Sequence, residues 1–169
     1  MQKRAKPTAA WPRAAALAVL GAAVVLGLRA AALVPEKPCF PLETTAWRIS
    51  DPYGPRQDPL TGEEAFHSGV DLACAQGTPV LAVRQGVVWQ ARRSASYGNC
   101  LWLLHPDGTE TRYAHLQYVY VRPGDLVEAG QRLGTVGQTG RATGPHLHLE
   151  LRQQGTARDP AALLEVPGG

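Results

Sequence analysis

The sequence predicts an all-β domain carried behind an apolar N-terminal helix, and three observations point there. From about Trp47 onward, short runs of β-branched and aromatic residues alternate with Gly, Pro and Asp turns: GVDLAC, TPVLAV, GVVWQA, CLWLL, TRYAHL, RLGTVG and HLHLEL. No run there keeps a helical period over eleven or more residues, and turn signals return about every 8 to 12 residues. Ahead of this region the stretch from Ala14 to Val34 is apolar over 21 residues, interrupted by Arg29 alone.

In chain order, Lys3, Arg4, Lys6 and Arg13 precede the apolar run. Its length is about enough to cross a bilayer at about 1.5 Å per residue, and a basic flank stays cytoplasmic. The expectation is a basic cytoplasmic N-terminus at 1–13, a single-pass anchor in the cytoplasmic membrane at 14–34, and an extracytoplasmic domain beyond. Arg29 lies near the outer end, where its side chain reaches the interface. A cleaved signal peptide, with Ala30, Ala31 and Ala32 at the cleavage site, is the rival reading and would leave a secreted domain. Residues 35–46, with prolines at 35, 38 and 41, read as a stiff, partly extended linker of about 30 to 40 Å. Within the domain, taken as 47–158, HPDGTE at 105–110 and RPGDL at 122–126 are turn signals. In the short tail at 159–169, Asp159 is placed to cap a closing helix, DPAALLE.

The net charge of +3 conceals an asymmetry: residues 1–35 hold five of the 17 Lys and Arg and no acid, leaving twelve bases against 14 acids. The exported part is therefore slightly acidic and lacks the basic footprint of a nucleic-acid binder. Its three cysteines, Cys39, Cys74 and Cys100, stand where oxidation is permitted, and an odd count cannot close fully within one chain. Cys74 with Cys100 is the expected pair; two small buried residues on neighbouring strands are the alternative.

In TGPHLHLE, residues 143–150, strand alternation puts His146 and His148 on one face and Leu147 and Leu149 on the other. On its own such a pair also fits a polar, solvent-facing alternation. Upstream, His67 and Asp71 in FHSGVD would lie about 13 Å apart in an extended chain, too far to share one ion, so the chain must bend, and Gly69 permits it. An imidazole, a carboxylate and one further histidine would make a three-ligand metal site with a position left for water, the pattern of a catalytic zinc. Geometry leaves open whether His146 or His148 is the third ligand.

Together HSGVD at 67–71, YAHL at 113–116 and TGPHLHLE resemble the M23 zinc endopeptidases of the lysostaphin and LytM type, as does the flanking text YGPRQDPLTGEEAFH, GTPVLAVRQGVV, YGNC and GDLVEAGQRLGTVGQTG. The resemblance covers about residues 47–158. It implies an antiparallel, barrel-sandwich-like β domain, one zinc ion per chain on His67, Asp71 and His148, and catalytic roles for His115 and His146. The implied substrate is the peptide cross-links of bacterial peptidoglycan. Some members of this family are tethered binding or assembly modules, with hydrolase-activating or sporulation-channel roles and cell-wall, division or sporulation protein partners; those typically lose site residues, whereas all five are present here. No helical HExxH arrangement occurs. A lipoyl-carrier reading of VRPGDLVEAGQRLG fails because Lys3, Lys6 and Lys37 all precede the domain. His105, at the HPDG turn, is expected to be a hairpin residue without catalytic duty. Tyr113 is read as sharing a strand face with His115 at the cleft wall. Glu150 shares the face of His148, where a solvated carboxylate is expected over a partner that orients the histidine.

Overall fold

The computed structural model describes residues 38–58 and 60–164; the basic N-terminus, the apolar segment at 14–34, the first linker residues and the end of the tail lie outside the described residues. No helix among the described residues is long and apolar enough to cross a membrane.

Twelve strands and one closing turn of 3-10 helix make up these residues. Strands β1 (Trp47–Asp51), β2 (Gly54–Gln57), β3 (Glu64–His67), β4 (Val70–Cys74) and β5 (Pro79–Leu81) form the first part. The long strands β6 (Gly86–Ser94), β7 (Gly98–Leu104) and β8 (Thr109–Val119) follow. Then come β9 (Leu126–Val127), β10 (Arg132–Val136), β11 (His146–Gln153), β12 (Thr156–Arg158) and the 3-10 helix Pro160–Leu163. The main sheet runs β1-β4-β11-β8-β7-β6-β9, with β10 joining β5 to β8 and β12 on the outside of β11; β2 and β3 form a separate hairpin. The pairs at the centre, β4 with β11, β11 with β8 and β8 with β7, are antiparallel.

Two-residue alternation builds the core. On β11, Leu147 and Leu149 are fully buried, facing Leu72 and Val70 of β4 across the sheet. Leu101, Leu103, Tyr113, Leu116 and Leu133 complete the same apolar layer without exposure to solvent. Each such leucine contributes about 1.5–3 kcal/mol relative to an exposed one, which fixes β11 in a register where its opposite face must carry the histidines. The turns fall where their chemistry requires: His105 and Thr109 close the β7–β8 hairpin backbone to backbone at 2.9 Å, with Gly108 at φ 81. Asp159 caps the 3-10 helix, accepting from the Ala161 amide at 2.9 Å.

Two expectations are corrected. The described end of the linker is docked: the Cys39 amide donates to Val83 O at 2.7 Å, Leu81 donates to Pro41 O at 2.9 Å, and Leu42 bridges Val80 and is buried. Phe40 stacks on Trp47 with ring centroids 4.7 Å apart. The prolines leave the intervening donors and acceptors free to pair with β5, so this stretch covers an edge strand. Second, Cys74 and Cys100 are not bonded, and all three cysteines are free. They sit on β4 and β7 with β11 and β8 between them, three strand spacings or about 14 Å along the sheet, more than twice the reach of a disulfide.

Candidate metal centre and active site

Sheet register brings the first two candidate ligands together. His148 of β11 lies directly opposite Asp71 of β4, so their side chains leave the sheet on the same face. Strand β3 ends at His67, and the two residues before β4 turn the chain back toward that face. Gly69 serves this bend by its missing side chain, since it is not among the residues with positive φ. A Cβ at this position would lie 2.5 Å from Leu149 O and 2.9 Å from His148 Cε1. The bend is a close approach of backbone to the His148 ring.

Three donor atoms converge: His67 Nε2 and His148 Nδ1 are 3.1 Å apart, His67 Nε2 and Asp71 Oδ1 3.2 Å, and His148 Nδ1 and Asp71 Oδ1 2.8 Å. Ligands about 2.0–2.1 Å from a tetrahedral zinc lie about 3.3 Å from one another, so the triangle fits such an ion with little adjustment. Among the described residues this is the group of His, Cys, Asp and Glu arranged to hold a metal. His146 stands beside it, its Nε2 3.6 Å from Asp71 Oδ2, and its ring is 4.6 Å from that of His115. Register and distance thus favour His148 over His146 as the third ligand, a choice strand parity could not make.

The protonation pattern of the four imidazoles follows from their acceptors. His67 Nδ1 donates to Pro52 O at 2.9 Å, His115 Nδ1 to Thr139 O at 2.8 Å and His146 Nδ1 to Gly144 O at 2.8 Å. His148 Nε2 donates to Glu150 Oε1 at 3.2 Å. Carbonyl and carboxylate oxygens only accept, so each ring carries a proton on the bonded nitrogen; the other nitrogen of His67 and of His148 faces Asp71 Oδ1, at 3.2 and 2.8 Å, and is the one a metal ion would take in place of a proton. His67 thereby offers Nε2 and His148 offers Nδ1, the two atoms in the triangle.

His115 reaches the site through a defect in its strand. Between β7 and β8 the register passes from Leu101 opposite Tyr113 to Asn99 opposite Leu116, so Ala114 and His115 face the single residue Cys100, a β-bulge. His115 takes φ 60, rare for a residue with a Cβ, and its amide donates to Tyr97 O at 2.9 Å. The bulge separates two side chains read as sharing a face: His115 lines the cleft, while Tyr113 is fully buried, its hydroxyl accepting from the Val83 amide at 3.0 Å. Regular alternation would have put both in the core. Burial first, with His146 and His148 adding to it, pushes the His115 pKa down to about 4 against the opposing Thr139 bond.

Glu150 also departs from expectation: it has no exposure to solvent. Its Oε1 accepts from Tyr97 Oη at 2.6 Å, Ser68 Oγ at 2.8 Å and His148, and its Oε2 accepts from Arg152 Nη1 at 2.7 Å. Burial alone would raise its pKa, but the bonds from His148, Tyr97 and Arg152 hold the carboxyl well below the usual range. Asp71 follows the same logic, its burial outweighed by hydrogen bonds from His148 and His67. For His148, burial works against the charged form and the two carboxylates more than reverse it, lifting the pKa to about 9. A ring so placed between two carboxylates marks a position where positive charge is stabilised.

The centre opens into a cleft of about 160 Å³. Leu60, Phe66 and Arg141 to Thr143 help line it, and Arg141 makes a bidentate pair with Asp58 at 2.7 and 2.8 Å. Tyr97 and Ser68, absent from the sequence reading as site residues, lie on the cleft wall; YGNC and HSGVD contain them, but no local pattern marks a donor aimed at residue 150. His105 is a core residue: it is buried, with Nδ1 2.8 Å from Gln85 O and Nε2 2.8 Å from Thr111 Oγ1, and it stays remote from the cleft lining.

The sequence model of peptidase family M23 matches residues 65–160. Among curated relatives, the peptidoglycan DD-endopeptidase ShyA of Vibrio cholerae serotype O1 is 43% identical over 117 residues, covering 69% of this chain and 27% of its own. Among solved structures, a zinc-containing peptidase from Vibrio cholerae superposes with a TM-score of 0.67 at 36% identity, over 73% of this chain and 38% of that one. The catalytic domain of the antimicrobial peptidase lysostaphin from Staphylococcus simulans gives 0.64 at 36% identity, over 70% of this chain and 92% of that domain. The chain spans less than a third of the length of the curated relatives it matches.

Proposed function

Since the chain belongs to peptidase family M23, we propose that it is a zinc metalloendopeptidase that hydrolyses peptide cross-links of bacterial peptidoglycan. The observation that carries this reading is the convergence of four imidazoles and Asp71 on one cleft, each ring with one nitrogen fixed on an acceptor and the other left for the metal or the reaction. A relative that acts on peptidoglycan as a DD-endopeptidase and a zinc-containing structural neighbour support it.

His67, Asp71 and His148 would hold zinc, contributing one negative charge and two neutral nitrogens. When bound there, zinc supplies a Lewis acid that polarises the scissile carbonyl and acidifies an attacking water. His115 is neutral at neutral pH because its pKa is depressed to about 4. Its Nε2 lone pair is therefore available to take a proton from the attacking water as the new C–O bond forms. That proton then passes to the leaving nitrogen as the C–N bond breaks, giving a carboxylic acid and an amine, and the acid's remaining proton passes to the amine or to solvent to leave a carboxylate. His146, with its ring 4.6 Å from that of His115, is placed to hydrogen-bond the developing oxyanion or share the transfer. Thr139 O and Gly144 O fix both rings in the orientation this requires.

The apolar run at 14–34 behind four basic residues supports placement at the cytoplasmic membrane, with the peptidase outside, where peptidoglycan lies. The retention of all five site residues supports hydrolysis over a silent assembly role. Incubating the full chain with purified peptidoglycan and identifying products by mass spectrometry tests the activity. New amine and carboxylate ends are expected, and are lost in His115→Asn. Stoichiometric zinc binding with no new ends from cross-links of varied chemistry would refute the hydrolase reading.

A further inference from the structure

The reaction needs two ligand imidazoles with lone pairs aimed at one point, and for His67 a backbone carbonyl secures this. For His148 the corresponding acceptor is a side chain, and the cost of burying it is met in an unusual way. Glu150 sits two residues on from His148 along β11, on the same face, with no exposure to water. Its Oε1 receives His148 Nε2 at 3.2 Å, Tyr97 Oη at 2.6 Å and Ser68 Oγ at 2.8 Å; its Oε2 receives Arg152 Nη1 at 2.7 Å, with Arg112 Nη1 at 3.7 Å beyond. A carboxylate oxygen has about two acceptor positions, and three close donors crowd Oε1 while Arg152 holds Oε2.

We propose that Glu150 is a positioning residue that locks His148 as the Nε2–H tautomer, and that Tyr97 ties this lock to the His115 side of the site. The proposal rests on reading His67, Asp71 and His148 as zinc ligands. His148 Nε2 faces a carboxylate oxygen that other donors already occupy, so it can only donate; the one ring position left for a metal is then Nδ1, 2.8 Å from Asp71 Oδ1 and 3.1 Å from His67 Nε2. Tyr97 acts at both ends. Its hydroxyl donates to Glu150, and its backbone carbonyl accepts the amide of His115 at 2.9 Å, where the chain takes φ 60. The β6–β7 turn thus carries one residue whose two oxygens set the metal-side ring and the bulged histidine. A simple buried ion pair with Arg152 would need neither the bond to His148 nor Tyr97.

Glu150→Gln separates these roles with little change of shape. If the amide oxygen stays toward His148, the NH2 group meets the Arg152 guanidinium, donor against donor. If it turns, the NH2 group meets His148, whose proton must move to Nδ1, the atom required for the metal. In the full chain, zinc affinity measured by chelator competition is expected to fall about 10- to 100-fold in Glu150→Gln. Long-range proton–nitrogen NMR should show His148 shifted toward the Nδ1–H form, while wild type, zinc-loaded, shows a slowly exchanging proton on His148 Nε2. This wild-type measurement needs no variant and stands even if Glu150→Gln fails to fold. A wild-type His148 without that protected Nε2 proton overturns the proposal, as does a folded Glu150→Gln that binds zinc within about threefold of wild type with the tautomer unchanged. Wild type that binds no zinc overturns the reading of the metal site beneath it.

Discussion

Gly69→Ala is the smallest change that should reach the metal centre. The added Cβ would lie 2.5 Å from Leu149 O, 2.9 Å from His148 Cε1 and 3.0 Å from His148 Nε2, where ordinary contact begins near 3.4 Å. Relief requires about 0.9 Å more between residue 69 and Leu149 O and also about 0.5 Å more between it and the His148 ring. The backbone is held: Leu149 pairs with Val70 on one side and Tyr113 on the other, all three buried. The bend at residues 68–69 must therefore be pushed away from β11 and the ring displaced with it, and a shift of about 0.5 Å exceeds the roughly 0.2 Å that a zinc–ligand bond tolerates. Overpacking of this kind costs about 1–3 kcal/mol, which lowers Tm by about 5–10 °C in a domain of this size. Zinc affinity should fall at least about tenfold. Thermal unfolding of the chelated chain reads the first effect and chelator competition the second. A Gly69→Ala chain with wild-type zinc affinity and a Tm within about 2 °C would refute the claim that residue 69 is glycine to admit the His148 ring.

His115→Asn tests the pH consequence of burying a neutral imidazole. The folded pKa of about 4 lies below the unfolded value near 6.5, so this stabilisation is complete above about pH 6.5 and is lost as pH falls toward 4, by at most about 3 kcal/mol. Asparagine tolerates φ 60, and urea unfolding of the variant should show a flatter decline across that window; parallel curves would discount the burial argument. His105→Gln should lower stability by about 1–3 kcal/mol while leaving zinc stoichiometry at wild type, read by denaturation and metal analysis on one sample; a loss of zinc would mean His105 is coupled to the site. Thiol labelling of the native chain should modify Cys39 and Cys74, with Cys100 reacting only after unfolding, and a recovered Cys74–Cys100 disulfide would contradict the strand order.

The legible part of the fold was the part governed by alternation. GVVWQA, CLWLL, TRYAHL and HLHLEL became β6, β7, β8 and β11 because each carries an apolar side that one sheet face can bury. The short strands β2, β3, β9 and β12 escaped, since two to four residues hold no measurable period and are recruited by neighbours. Glu150 escaped for a different reason. A carboxylate two residues beyond a histidine looks solvated until its donors are known, and Ser68 and Tyr97 arrive from 82 and 53 residues away. The disulfide expectation failed on the same kind of distance information, because chain position says nothing of the two strands inserted between β4 and β7.

The two halves of the site consequently rest on different physics. His148 and Asp71 face each other by register alone, so their placement is as secure as the apolar packing of Leu147 and Leu149 behind them. His115 faces the site because one extra residue in β8 breaks that register, at a left-handed backbone angle that costs about 1–2 kcal/mol. Bonds of its amide to Tyr97 O and of its ring to Thr139 O hold the angle. Repairing the bulge by deleting Ala114 would restore alternation at the expense of the histidine. The proposed metal site rests on the regular pairing of β4 with β11, whereas the proposed proton transfer by His115 rests on a local break in the pairing of β7 with β8, so disturbing the Tyr97 carbonyl that holds the His115 amide should silence hydrolysis before it empties the metal site.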